Sequence, residues 1–211
     1  MGSLAHSLEE LLTSGKVKPS RLLRGGRDEG GSPGWEFGRL TGRVVELTGT
    51  RATARLSVAA RLVLEAQRLR EPTAWLSRPE ATFYPPDVAK LGVDLETLAV
   101  VRAPDAHALL GAADELLRSG AFGLVVLDLS HERVDIRMHA QVRLLNLTKA
   151  HDALLLLLLD DARGSLASVR ARVERQREGD RFACSIHVHK DKRNGRGWTH
   201  REVFDGPLGL C

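Results

Sequence analysis

Cysteine and aromatic residues are scarce in this sequence, and each shortage excludes a class of function. The two cysteines, Cys184 and Cys211, are too few and too unpatterned for a disulfide framework or a thiolate metal cluster, and they fit a reducing compartment. Aromatics make up only 4% of residues, so the interior must rest on Leu, Val and Ala, and an aromatic platform for base stacking has few candidates. No signal pattern of basic then apolar residues opens the chain, and the longest apolar run, Ala153–Leu159, is too short to cross a bilayer. A cytoplasmic chain with no membrane partner is expected. His187 and His189 share one face of an expected strand at a spacing able to hold a metal, but no third ligand is evident, so no metal site is expected. Ser57, Ser130 and His131 supply nucleophile and base types without any pattern that fixes a hydrolytic geometry.

What is present suits a single α/β domain. Hydrophobic residues make up 43% of 211, enough for a substantial interior. The net charge of +4 is unevenly spread, because residues 163–201 hold eleven Lys/Arg against four Asp/Glu. Such a basic segment can bind phosphates, nucleic acid or an acidic protein surface, or can be a solvated strand face. Ser7-Leu-Glu-Glu-Leu-Leu predicts a short capped helix over about 4–13. A Gly-rich stretch over 24–34 then reads as a linker, which places an N-terminal helix and linker in 1–36 and the main domain in 37–211.

From Arg43 onward, β-rich runs alternate with helical patterns, the signature of βαβ units and a mostly parallel sheet with helices on both faces. Strands are predicted near 44–48, 74–76, 98–101, 124–127 and 154–159, with helices over 54–69, 105–118 and 136–151. Gly120 is the expected stop of the second helix. After Gly164 the alternation Ala167, Val169, Ala171, Val173 predicts a half-buried strand. Asn194-Gly195 between two further alternating runs predicts a hairpin, so the sheet should end in antiparallel strands carrying the basic excess. Trp198 there reads either as a core aromatic or as an anchor for a base or partner.

The segment from Arg43 to Ser57 is a strand, a glycine turn and a helix start, the context of a phosphate-binding loop. A working loop, G-x-x-x-x-G-K-[ST], closes backbone N–H groups on phosphate oxygens, reaches the terminal phosphates with lysine and holds Mg²⁺ with a hydroxyl. Here Gly49, Thr50 and Thr53 are followed by Ala54 for the second glycine, Arg55 for lysine and Leu56 for the hydroxyl, with Ser57 one residue late. Ala54 would strain the turn if a positive φ were needed, and Arg55 is a planar fork rather than a compact ammonium. A vestigial site is expected, with no required cofactor and at most weak binding of ATP and Mg²⁺. Gly123-Leu-Val-Val-Leu-Asp128 is an apolar strand ending in aspartate, which suits a metal-holding carboxylate or a turn cap.

These stretches resemble the RecA recombinase family over about 42–204, in Gly42-Arg-Val-Val-Glu-Leu-Thr-Gly49, Lys90-Leu-Gly-Val-Asp94, Arg118-Ser-Gly-Ala121 and Lys190-Asp191-Lys192. The resemblance implies a RecA-like core. It implies that Glu80 falls at the water-activating glutamate, Asp128 at the metal-binding aspartate, and Lys190 and Lys192 at a pair that reaches a neighbour's nucleotide. Asp160 and Asp161 replace the family's Asn-Gln phosphate sensor, and the stretches after Asp128 and Asp161, which form DNA-binding loops in RecA, are shorter here. A decayed loop with lost DNA loops resembles the ImuA (SulA/RecA-like) group. Membership implies protein contacts with RecA, ImuB and an error-prone DNA polymerase III α-subunit paralogue in SOS translesion synthesis, with little or no ATP hydrolysis and DNA contact through the basic C-terminal strands. A slow DNA-stimulated ATPase using Arg55, Glu80 and Asp128, and a SulA-like cell-division inhibitor, are the alternative readings.

Overall fold

A computed structural model describes residues 33–49, 54–130, 135–161 and 167–205; the expected N-terminal helix and linker lie almost wholly outside them. Its elements in chain order are α1 (Phe37–Leu40), β1 (Arg43–Thr48), α2 (Arg55–Arg68), β2 (Thr73–Ser77), α3 (Pro85–Lys90), a 3-10 turn (Leu95–Thr97), β3 (Leu98–Arg102), α4 (Ala106–Ser119), β4 (Leu124–Asp128), α5 (Met138–Ala150), β5 (Leu154–Leu159), β6 (Val169–Glu178), β7 (Arg181–Asp191) and β8 (Trp198–Asp205). The strands form one eight-stranded sheet in the order β3-β2-β4-β5-β1-β6-β7-β8.

The strands β1 to β5 are parallel, and β6 also joins β1 in parallel, Val45 lying opposite Val169. Only β7 and β8 are antiparallel to their neighbours, returning through the predicted hairpin, where Gly195 takes a φ of +81°. A strand buried on both faces can be apolar throughout, and Leu154–Leu159, paired with both β1 and β4, is buried at every position. Helix α4 begins on a cap in which Asp105 accepts from the Ala108 N–H at 2.8 Å, and ends at Gly120 with a φ of +67°.

Two apolar layers flank the sheet. On one face α1 and α2 cover Val45, Leu47, Trp75, Leu156 and Val173, with Trp35 and Phe37 in the same core. On the other, α4 and α5 cover Val44, Leu76, Leu127 and Leu157, and this layer takes in no side chain of β6 to β8. The short α1 and α3, which hydrophobic period alone does not reveal, are fixed by burying Phe37, Leu40 and Val88.

Candidate functional site

Because β1, β2, β4 and β5 run in parallel, their C-terminal ends bring Gly49, Ser77, Asp128 and Asp160 to one edge of the sheet, where ligands bind in open α/β folds. Gly49 follows β1 and is buried; Thr50 and Thr53 lie outside the described residues. Ala54 has φ −83° and ψ 38°, so no left-handed conformation is required there and the strain considered for this position does not arise. Among the described residues, no side chain caps the start of α2.

Arg55 decides the character of this edge. Its side chain is 8% exposed, and its guanidinium donates to the Leu159 carbonyl oxygen and, at 2.8 Å, to Oδ1 of Asp160. The cation that replaces the loop lysine is therefore folded back onto the end of β5. Leu56, in the first turn of α2, packs against the core, and Ser57, the next hydroxyl, sits about 100° further round the helix. The described residues thus do not supply the free ammonium and adjacent hydroxyl that a Mg²⁺-nucleotide requires. The carboxylate partner, expected to stand in a phosphate-sensing position, neutralises Arg55 instead.

Asp128 is 3% exposed at the end of β4, and its Oδ1 accepts from the Ser130 N–H at 3.0 Å, the turn role weighed for it. Its Oδ2 is buried with no hydrogen-bond partner among the described residues, which leaves one oxygen able to take a cation or donor. Glu80 is 69% exposed and paired with Arg78 at 3.2 Å. The loop that carries it is fastened by Arg102, which donates to Ser77 Oγ at 2.7 Å, to Arg78 O at 2.8 Å and to Phe83 O at 3.1 Å. Phe83 stacks on Trp75 with ring centroids 4.3 Å apart.

Lys190 and Lys192 are not brought to Gly49–Ser57 within one chain. They flank Asp191, whose carboxylate is buried against Arg43 at the first residue of β1, the end of that strand opposite Gly49. Asp191 also accepts from the N–H groups of Arg193 at 2.8 Å and Asn194 at 3.2 Å and from Asn194 Nδ2 at 3.0 Å, and so organises the β7–β8 turn. Burial acts to raise this carboxyl, but the hydrogen bond and charge of Arg43, with the amides of Arg193 and Asn194, outweigh it and hold it below the ordinary aspartate value. Burial, then the nearby Arg170 and Lys192, lower the Lys190 ammonium, with Glu46 opposing.

Strand β7 is irregular beside the two histidines: register shifts where Val188 pairs with Ala171 and Lys190 with Arg170, which leaves His189, an exposed residue, without a register partner on β6. His187 contacts Thr199 Oγ1 at 3.1 Å, and no metal-holding group occurs among the described residues. Trp198 packs against the core, as the structural reading has it. The Arg43–Asp191 pair and the Arg170–Glu46 contact at 3.0 Å were not foreseen; an arginine opening a buried strand and an acid inside it were the available signals. No helix among the described residues is long and apolar enough to cross a membrane.

Comparison with known proteins agrees with this geometry. The profile of the RecA N-terminal domain family matches residues 34–140. The chain is 30% identical over 115 residues to Protein RecA of a Picosynechococcus species, covering 50% of this chain and 33% of that one. It is 40% identical over 88 residues to Protein RecA of a Nocardioides species, covering 41% and 25%. It is 31% identical over 128 residues to the chloroplastic DNA repair protein recA homolog 1 of Arabidopsis thaliana, covering 61% and 26%. The chain therefore spans only a quarter to a third of these relatives. Among solved structures, the RadB recombinase superposes with a TM-score of 0.58 at 14% identity, covering 77% of this chain and 87% of that one, a likeness of fold. The chain belongs to the RecA family, carrying that family's N-terminal domain with the loop cation turned inward.

Proposed function

We propose that this chain is a RecA-like accessory protein of the ImuA kind, acting through contacts with RecA, ImuB and an error-prone polymerase in SOS translesion synthesis, and not through ATP turnover. The observation that carries the reading is Arg55, held by the Leu159 carbonyl and Asp160 where a free cation would meet the terminal phosphates. Leu56 beside it has no oxygen for Mg²⁺. Lys190 and Lys192, remote from the chain's own loop, fit a contact to a neighbouring protomer. DNA contact through β6 to β8 is supported by the exposed face of these strands, where Arg170, Arg172, Arg181, Lys190 and Arg201 outnumber Glu174 and Glu178.

Titration of ATP with and without Mg²⁺ tests the loop directly. Binding should be no tighter than the millimolar range, about −4 kcal/mol, and indifferent to Mg²⁺. Rapid hydrolysis abolished by Glu80→Gln or Asp128→Asn would refute the inactive part, and failure to bind both RecA and ImuB would refute the partner part. A slow DNA-stimulated ATPase is the second reading, favoured by the buried Oδ2 of Asp128, which has no partner among the described residues; a rise in turnover with single-stranded DNA at low salt distinguishes it.

A further inference from the structure

Away from the nucleotide edge, a polar cleft of about 570 Å³ opens between the later turns of α2, the end of α3 and the strand β8. Its floor holds two half-buried carboxylates, Glu65 from α2 and Glu202 from β8, whose side chains are 22% and 15% exposed. Glu65 Oε2 accepts from the Phe37 N–H at 2.9 Å, Arg61, 45% exposed and nearer the rim, reaches Glu65 Oε1 at 3.6 Å, and His200 Nε2 lies 3.1 Å from Glu202. Trp35 forms part of the wall; its indole N–H is buried and has no acceptor among the described residues. Leu91 and Val203 are exposed at the mouth. Burial raises the Glu202 carboxyl above the ordinary glutamate value, against the pull of His200 and Arg61, and Glu65 adds to the rise.

The cleft lies beside an open sheet edge. Strand β8 pairs only with β7, so its eight residues leave one row of backbone donors and acceptors without a strand partner among the described residues. Register places His200 opposite Ile186, and Glu202 opposite Cys184, both on the core side, so alternate β8 side chains face the cleft. An extended chain added to β8 would project every second side chain toward Glu202 and Glu65, because side chains alternate along a strand.

We propose that β8 and this cleft form a docking site for an extended basic peptide segment, paired by its backbone to β8 with a lysine or arginine side chain seated between Glu65 and Glu202. Main-chain pairing supplies affinity in this mode of recognition, and the pocket for alternate side chains supplies specificity. A cation there meets two half-buried carboxylates, where a charge-assisted hydrogen bond is stronger than in bulk water. Leu91, exposed at the cleft mouth, favours an aliphatic neighbour there. The site is independent of the loop chemistry at Arg55 and stands whether or not nucleotide binds.

The probe is a fluorescein-labelled hexapeptide of alternating Val and Lys, titrated into the full chain and followed by anisotropy, with alternating Val and Glu as control. The basic peptide should bind at least about tenfold more tightly than the acidic one. Glu202→Gln and Glu65→Gln, each close in shape to the native residue, should each weaken binding by about tenfold. Backbone amides of β8 should gain protection from hydrogen exchange on binding. Spermidine, which offers cations without a strand, should compete poorly. Equal binding of the two peptides, indifference to both Gln variants, unprotected β8 amides or full displacement by spermidine would each overturn the proposal.

Discussion

Replacing Asp191 by alanine should cost about 3–5 kcal/mol of folding free energy, because it strands a buried cation. Arg43 is 2% exposed and has Asp191 as its ion-pair partner, with a 3.4 Å contact to the Ser168 carbonyl as a weaker alternative. The same substitution takes away the acceptor for the Arg193 and Asn194 amides, so the β7–β8 turn loosens together with the strand end. Asp191→Asn keeps an acceptor for those amides and loses only the charge, so about 2 kcal/mol is expected. Arg43→Met combined with Asp191→Leu removes both charges and should recover most of the loss. Urea unfolding followed by circular dichroism at pH 7 measures all four proteins, and a loss of this size is a large part of the roughly 5–15 kcal/mol typical of a domain. The pH dependence adds a second reading. Asp191 has a depressed folded value, so its linked stability is complete above the unfolded carboxyl value of about 3.9 and is lost as pH falls through the lower folded one. Asp191→Ala should lack that part of the acid slope. A loss under about 1 kcal/mol for the alanine variant, or a double variant no better than the single one, would refute the view that a charge pair fixes this edge.

Two further outcomes follow from burial and backbone geometry. In a Cys211→Ser background, Cys184 should resist an aromatic disulfide reagent at pH 8 and react fully in denaturant, since burial, then Glu202, push its thiol up to about 11 against the opposing Arg175; equal labelling rates in buffer and in urea would contradict this. Gly120→Ala forces a side chain into the left-handed region at φ +67° and should cost about 1–2 kcal/mol in the same urea assay, and an unchanged midpoint would show that the helix end had shifted to avoid it.

Much of the fold was legible from residue order because its signals are local. The apolar run Leu154–Leu159, the alternation from Ala167 to Val173, the Asp105 cap and the Gly120 stop each act within a few residues, and each produced the expected element. The short helices α1 and α3 were missed for the same reason: at four and six residues they have no stability of their own and exist through the tertiary burial of Phe37, Leu40 and Val88. A bulge at His189 escaped notice because it is a property of pairing with β6 and leaves no mark in the alternation of the strand's own residues.

Residue order by itself determined that this is an alternating α/β chain with a phosphate-loop context, and that the loop has Arg55 and Leu56 where lysine and a hydroxyl belong. It could not determine what Arg55 does. That depended on β5 lying beside β1, which carries Asp160, 105 residues away in sequence, to the start of α2. Likewise it depended on β6 and β7 stacking outward from β1 that Asp191 meets Arg43 and that Lys190 and Lys192 end at the far side of the sheet from Gly49. Periodicity and capping are short-range and can be read along the chain; charge partners in a parallel sheet are chosen by strand order, a long-range property that only the assembled core fixes.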